Sequence, residues 1–368
     1  MKTMSKTFRT LFVGGLIPFF SLVAISHAGA QTCVQPPPSL VSWWPGDGNA
    51  DDIQNGNDGT LQNGATFAAG MVGQAFSLDG VDDHVRIPHN ANLNPSGAFT
   101  VDFWMKGDPT QSDPLYNVID KSHGFSDGSG WTFQGESSSG ILGFGYGWGG
   151  LCNCGSPADF TGVGTTVDVL DDQFHHIAGV FTGNEIQIYV DGVLNNSILE
   201  NRPPVNNTRD VFIGRAFGGG TPQRHFRGLV DEVEFYSRAL SAAEVQAIYN
   251  AGSAGKCNIV IDIKPGTDSN SINPRSKGVI QVAILTTDTF DATTVDPTTV
   301  LFGPTGTEAA PVQFALDDVD GDGDTDMILH FNTQATGIQC GDTSASLTGE
   351  TSDGSPIRGS DSINTVGC

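Results

Sequence analysis

The sequence predicts an all-β protein built as a larger sandwich followed by a smaller one. Three observations predict it. In FTVDFWMKG the residues alternate, with Phe99, Val101, Phe103 and Met105 on one face and Thr100, Asp102 and Trp104 on the other. Glycine fills 48 of 368 positions, about twice its usual share, and Asn-Gly and Asp-Gly pairs mark many turns between short strands. After NAGSAGKC a fresh series of strand patterns begins, so the apolar faces divide into two sets.

The first thirty residues stand apart. Lys2, Lys6 and Arg9 precede the apolar stretch LFVGGLIPFFSLVAI, and Ala28–Ala30 (AGA) supplies small residues for cleavage. Residues 1–30 read as a signal peptide, and the mature chain is expected to begin at Gln31. The apolar stretch is short for a membrane span and no second one follows, so we expect an extracellular protein with no membrane insertion. Whether it is released, periplasmic or held at the cell surface stays open. The remaining ~338 residues favour two domains, placed at 33–252 and 257–368.

In the first domain, HHIAGVFTG and NEIQIYVDG read as a hairpin around Thr182, Gly183 and Asn184, with Ile186, Ile188 and Val190 on one face. DVFIGRA and GLVDEVEFYSRAL follow as strands. SAAEVQAIYNAG reads as a helix: Ser241 is its N-cap, Glu244 completes a capping box and Gly252 ends it. In the second domain CNIVIDIKPG puts Ile259, Ile261 and Ile263 on one face, and KGVIQVAILTT, PTTVLFGPTG and TDMILHFNT supply further strands.

The formal charge is −24, and all of the Asp and Glu lie beyond residue 30. This excludes nucleic acid and acidic membrane surfaces as partners. Six cysteines in an exported chain read as disulfides. Cys33–Cys257 is favoured because it brackets the first domain, and Cys340–Cys368 because it ties down the second. Cys152 and Cys154 are left over; CNC alone makes a weak metal site.

DDVDGDGDTD places aspartates at Asp318, Asp320, Asp322, Asp324 and Asp326, with Gly323 at the tight turn. Counted from Asp318 these are positions 1, 3, 5, 7 and 9 of a calcium loop, with the glycine at 6. The closing bidentate Glu at position 12 is absent, because Leu329 stands there, and a strand follows where an EF-hand has a helix. Carboxylates this dense repel one another unless a cation joins them. The expected cofactor is a structural Ca2+, with Asp317 outside its shell.

QFHHIAGVFTGNEIQIYVDGVL and FRGLVDEVEFYSRALSAAEVQAIYNAG, with the opening SLVSWWPGDGNADDIQNGNDGTLQNGATFAAGMVGQAFSLDGVDDHVRIP, resemble the laminin-G-like, concanavalin A-like jelly roll of bacterial secreted proteins. The resemblance covers roughly residues 40–252. It implies two antiparallel sheets, a carbohydrate or protein ligand or a structural role, and in many members a calcium ion at the sandwich edge. On that resemblance Asp231 would approach Asp52, and with it Asn57 or Asp58, as a second calcium site; the alternative is that Asp52 and its neighbours only form turns. IDIKPGTDSNSINPRSKGVIQVAILTT and the segments after it resemble a C-terminal module of exported bacterial proteins that accompanies varied partner domains.

A sugar site wants an aromatic face with polar groups around it. GFGYGWGG alternates glycine with Phe144, Tyr146 and Trp148, a stacking platform if that face is exposed and core if it meets the other sheet. Trp43 and Trp44 point to opposite faces, one expected in the core and the other partly exposed. His175 and His176 also point apart, and neither has a metal-ligand spacing. Related folds include glucanases, whose retaining members need two carboxylates about 5 Å apart. Here VDEVEFY puts Glu232 and Glu234 on one face, without the central Asp of such enzymes, and reads instead as a solvated edge. The reading is therefore a calcium-binding, non-catalytic, lectin-like module whose partner is a glycan; an extracellular structural or protein-adhesion role is the alternative, and a glycoside hydrolase comes third.

Overall fold

The computed structural model describes residues 33–122, 128–149, 160–216, 224–267, 269–287 and 290–368. The signal-peptide segment, Cys152 and Cys154 lie outside them. As the alternation predicts, the described chain is almost entirely antiparallel sheet.

The larger sandwich pairs an eight-stranded sheet, centred on Phe99–Gly107 and Arg227–Tyr236, with a seven-stranded sheet that runs from Phe160–Gly164 through Ile141–Gly147, Trp131–Glu136 and Leu115–Asp120 to Thr60–Gln62. Phe99, Val101, Phe103 and Met105 all face the core between them. Phe103 meets Phe133 edge-on with ring centroids 4.8 Å apart, and Phe133 stacks on Phe144 at 4.8 Å. Gly179 makes room for these rings: a Cβ there would come within 2.4 Å of Phe144.

The outer face of the eight-stranded sheet is covered too. The helix Ala242–Ala251 lies on it with Val245 and Ile248 buried, and Tyr249 stacks on Trp104. Its capping box is formed as expected: Ser241 and Glu244 bond reciprocally, and Gly252 closes the helix at φ 51°. Trp43 and Trp44 are both buried, which corrects the expectation that one is partly exposed. The reason is the same second layer, because residues from the C-terminal part cover the outer face at Trp43.

The smaller unit has its own core. Ile259, Ile261 and Ile263 pack with Val282, Leu329, Phe331 and Phe302 between a four-stranded sheet, which ends in Gln313–Asp317, and a three-stranded sheet built from Val295–Gly303, Ser344–Thr351 and Pro356–Ser362. Both expected disulfides are present, Cys33–Cys257 and Cys340–Cys368.

Candidate binding groove, metal loop and buried carboxylates

The aromatic side of GFGYGWGG is core. Phe144 and Tyr146 are buried, and Tyr146 donates its hydroxyl hydrogen to Arg202 O at 2.7 Å. Trp148 is half-buried under the Arg202 guanidinium, 3.8 Å from its ring centroid. Of the two readings open for Phe144, Tyr146 and Trp148, the structure takes the core one, and the stacking platform named as a possible ligand contact is not formed. Their strand lies inside the seven-stranded sheet, so the larger side chains fill the sandwich.

The glycine side of the same strand faces out. Cross-strand partners share a face, and the pairs Gln134–Gly143–Gly164 and Thr132–Gly145–Gly162 form two rows over which no side chain rises on two adjacent strands. Gly145 and Gly162 are required by close approach: a Cβ on either would lie within 2.6 Å of backbone oxygen across the pair. The result is a groove of about 230 Å³ with a bare backbone floor, Asn117, Thr132 and Gln134 on one wall, Phe160 on the other and Arg224 above. Arg224 donates to Gln134 Oε1 at 2.5 Å, and Asn117 Nδ2 donates to Thr132 Oγ1 at 2.7 Å. The remaining oxygen of Asn117, Oδ1, is buried and accepts no hydrogen bond among the described residues. Sequence reading followed the aromatics and missed this side; the signal was the glycine repeat at 143 and 145 matched by the one at 162 and 164.

The aspartate loop connects the hairpin Gln313–Asp317 and Asp326–Asn332, whose end residues Asp317 and Asp326 pair. Gly321 and Gly323 turn it at φ 82° and 100°. Asp326 is fully buried and anchors the loop, accepting Thr286 N–H and Val319 N–H at 2.8 Å each. Carboxylate oxygens of Asp318, Asp320 and Asp326 all lie within 4.8 Å of one another, the span two oxygens can have when each is ~2.4 Å from a shared calcium. Asp322 and Asp324 are outside this group of three. Asp324 Oδ1 is nevertheless shielded and meets no donor among the described residues. Local desolvation, then Asp322, Asp326 and Asp320, push the Asp324 carboxyl up to about 6. Oxygen-only donors, crowded and short of protons, fit a hard divalent cation. A second acidic group, Asp79, Asp82 and Asp83, also brings its oxygens together; it lacks the alternating spacing, and Asp79 spends Oδ1 on the turn N–H groups of Val81 and Asp82.

Asp52 and Asp231 do not fall in either group. Asp52 accepts the N–H groups of Trp43, Gln54 and Asn57, which makes it a staple for the 52–58 loop. Asp231 is buried opposite Trp104 of the neighbouring strand, and its Oδ2 accepts Val72 N–H at 3.0 Å. Burial first, and then the charges of Glu232 and Asp47, push its carboxyl up to about 9, so it keeps its proton at neutral pH.

Glu232 and Glu234 are not a solvated edge. Both are buried at the junction of the two β units. Glu232 sits at φ 52° in a bulge between Asp231 and Glu234. It accepts Trp43 Nε1–H at 3.0 Å and pairs with Arg358 at 2.8 Å. Glu234 pairs with the buried Lys256 ammonium at 2.7 Å and accepts the Tyr236 hydroxyl hydrogen. Burial pushes both carboxyls up, and the cations pull against it. Burial alone would lower the Lys256 ammonium; Glu234, Asp102 and Glu232 outweigh that and hold it protonated. Beside this cluster His176 is buried with Nε2 3.2 Å from Asp102, and His175 is bracketed by Asp191 and Asp171.

Residues 79–246 match the family model Laminin_G_3, the concanavalin A-like lectin/glucanases superfamily. No curated protein matches the chain. Among solved structures, the binding domain of Paraclostridial Mosquitocidal Protein 1 is 15% identical over 68% of this chain and 66% of its own, with a TM-score of 0.47. Domain 4 of AbnA, a GH43 extracellular arabinanase from Geobacillus stearothermophilus, in complex with arabinotriose, is 20% identical over 56% of this chain and 97% of its own, at 0.42. A botulinum neurotoxin type C structure, described by the dependence of cell entry on two ganglioside molecules, is 11% identical over 80% and 93%, at 0.46. Likeness at this level carries no argument about ligand.

Proposed function

We propose that this protein, whose residues 79–246 form a laminin-G-like domain of the concanavalin A-like superfamily, is an extracellular glycan-binding module that does not hydrolyse its ligand and that is stiffened by calcium. The observation that carries the reading is the groove over Gly143, Gly145, Gly162 and Gly164, with Asn117, Thr132, Gln134 and Phe160 among its lining residues. A flat floor admits a sugar ring, polar walls meet its hydroxyls, and Phe160 offers the apolar face. A larger recess of about 420 Å³ at the junction is lined by Thr299, Thr305, Thr307 and Thr348 but by no aromatic residue, so the smaller groove is the better sugar site. The described lining of the groove contains no carboxylate, and Glu232 and Glu234 are committed to Arg358 and Lys256, which argues for binding without acid–base chemistry. Two disulfides suit an oxidising, extracellular setting, and no helix among the described residues is long and apolar enough to cross a membrane.

A glycan array followed by calorimetric titration tests the groove. Asn117→Ala and Gln134→Ala are each expected to weaken the leading glycan about tenfold, with melting curves as a check on folding. If no glycan binds, or if both variants bind as the parent does, the reading fails.

For calcium, Asp318, Asp320 and Asp326 are the proposed first ligands, with Asp322 and Asp324 completing the loop. Calorimetric titration of calcium into chelator-treated protein is expected to give a binding isotherm and a higher Tm. Asp320→Asn should weaken binding at least about tenfold. Affinity should also fall as pH drops through about 6, where Asp324 takes up its proton. Absence of heat and of any change in Tm would remove calcium from the account.

A further inference from the structure

The strand Gln313–Asp317 ends the four-stranded sheet of the smaller unit and, among the described residues, is paired on one side only, with Asp326–Asn332. Every residue in it is exposed. Val312, Phe314 and Leu316 are 64%, 52% and 51% exposed, and at alternate positions they share one face. That face is the core face: Phe314 pairs with Leu329 and Leu316 with Met327, both buried. The apolar row therefore continues the core outward, past the cover of the opposing sheet. Edge strands of soluble proteins are commonly blunted by lysine, proline or an inward charge. This one has none between Val312 and Leu316, and it runs directly into Asp317, Asp318, Asp320, Asp322, Asp324 and Asp326.

We infer that this edge is a docking site for an extended segment of another protein, one with apolar side chains at alternate positions and lysine or arginine at the end that meets the aspartate loop. The incoming strand adds its backbone hydrogen bonds to the open edge, its apolar residues cover Val312, Phe314 and Leu316, and its cations face the carboxylates. A divalent ion in the loop cancels two of the six negative charges and leaves the attraction in place. The same charge decides against a second copy as occupant, since each chain carries a formal −24.

The test uses the full protein in calcium and two fluorescein-labelled peptides, KKTVTFTVKK and EETVTFTVEE, followed by anisotropy. The lysine peptide is expected to bind saturably, more weakly as salt rises, and the glutamate peptide at least about tenfold less well. Phe314→Ser and Leu316→Ser, at half-exposed positions whose folding is checked by melting, should each reduce binding about tenfold. No binding of the lysine peptide, equal binding of both peptides, or binding indifferent to Phe314 and Leu316 would overturn the inference. Self-association of the protein alone that these variants abolish would also overturn it, in favour of a second copy.

Discussion

Replacement of Lys256 by methionine is expected to destabilise the protein by about 3–5 kcal/mol, the penalty for stripping one partner from a buried ion pair. Methionine fills nearly the same volume, so packing changes little. What changes is Glu234, which is inaccessible to solvent and keeps the Tyr236 hydroxyl, a neutral donor, but no cation in contact among the described residues. Its carboxyl, already pushed up by burial, then loses the charge that opposes the shift. A carboxyl raised in the folded state contributes stability that is complete below its unfolded value and lost as pH rises through its folded value. The deficit of Lys256→Met should therefore be small near pH 4 and largest near pH 8. Adding Glu234→Gln should recover most of it, since the double variant leaves no buried charge unpaired. Chemical denaturation at the two pH values checks this; a loss that is equal at both, or a double variant no better than the single one, would refute the ion-pair account.

Asp231→Asn should act in the opposite direction. The folded carboxyl titrates at about 9 against 3.8 for the free side chain. Between those values the unfolded chain releases a proton that the folded chain retains, so the wild type loses stability steadily as pH rises. Asparagine copies the protonated form and can still accept Val72 N–H. At pH 8 we expect a gain of several kcal/mol, since each pH unit between the two values contributes about 1.4 kcal/mol, read as a higher Tm, and almost none at pH 4. Thermal melts across that range decide it. The same variant separates the two roles considered for this residue. If Asp231 were a calcium ligand, asparagine would lower the Tm in calcium and remove one equivalent from the titration.

Local pattern made much of this fold legible. Period-two alternation placed the core faces at Phe99–Met105 and Ile259–Ile263, the capping box at Ser241 and Glu244 fixed the helix, and the aspartate spacing located the loop. What stayed hidden depended on which layer covers which face. Glu232 and Glu234 look like a solvated edge because nothing near them in the chain shows that Lys256 and Arg358 close over them. Trp44 and Trp43 alternate faces as adjacent residues must, but both faces are covered. In GFGYGWGG the period was plain while its direction was not: the aromatics went inward, and the glycines, which read as mere spacers, make the groove floor. Asp231 faces Val72 across 159 residues, a pairing no local motif marks.

The Cys33–Cys257 bridge joins residues 224 apart, at the two ends of the jelly roll. Mechanically it is a shunt. Tension applied along the chain passes from Cys33 to Cys257 through the sulfur atoms, and the sheets in between hang outside the load path. The groove and its glycine floor can thus be carried on a stretched chain without being pulled apart. Strain falls instead on the smaller unit, where the 28-residue bridge from Cys340 to Cys368 shields only the last strands, so the aspartate loop lies between Cys257 and Cys340, in the segment that bears the force.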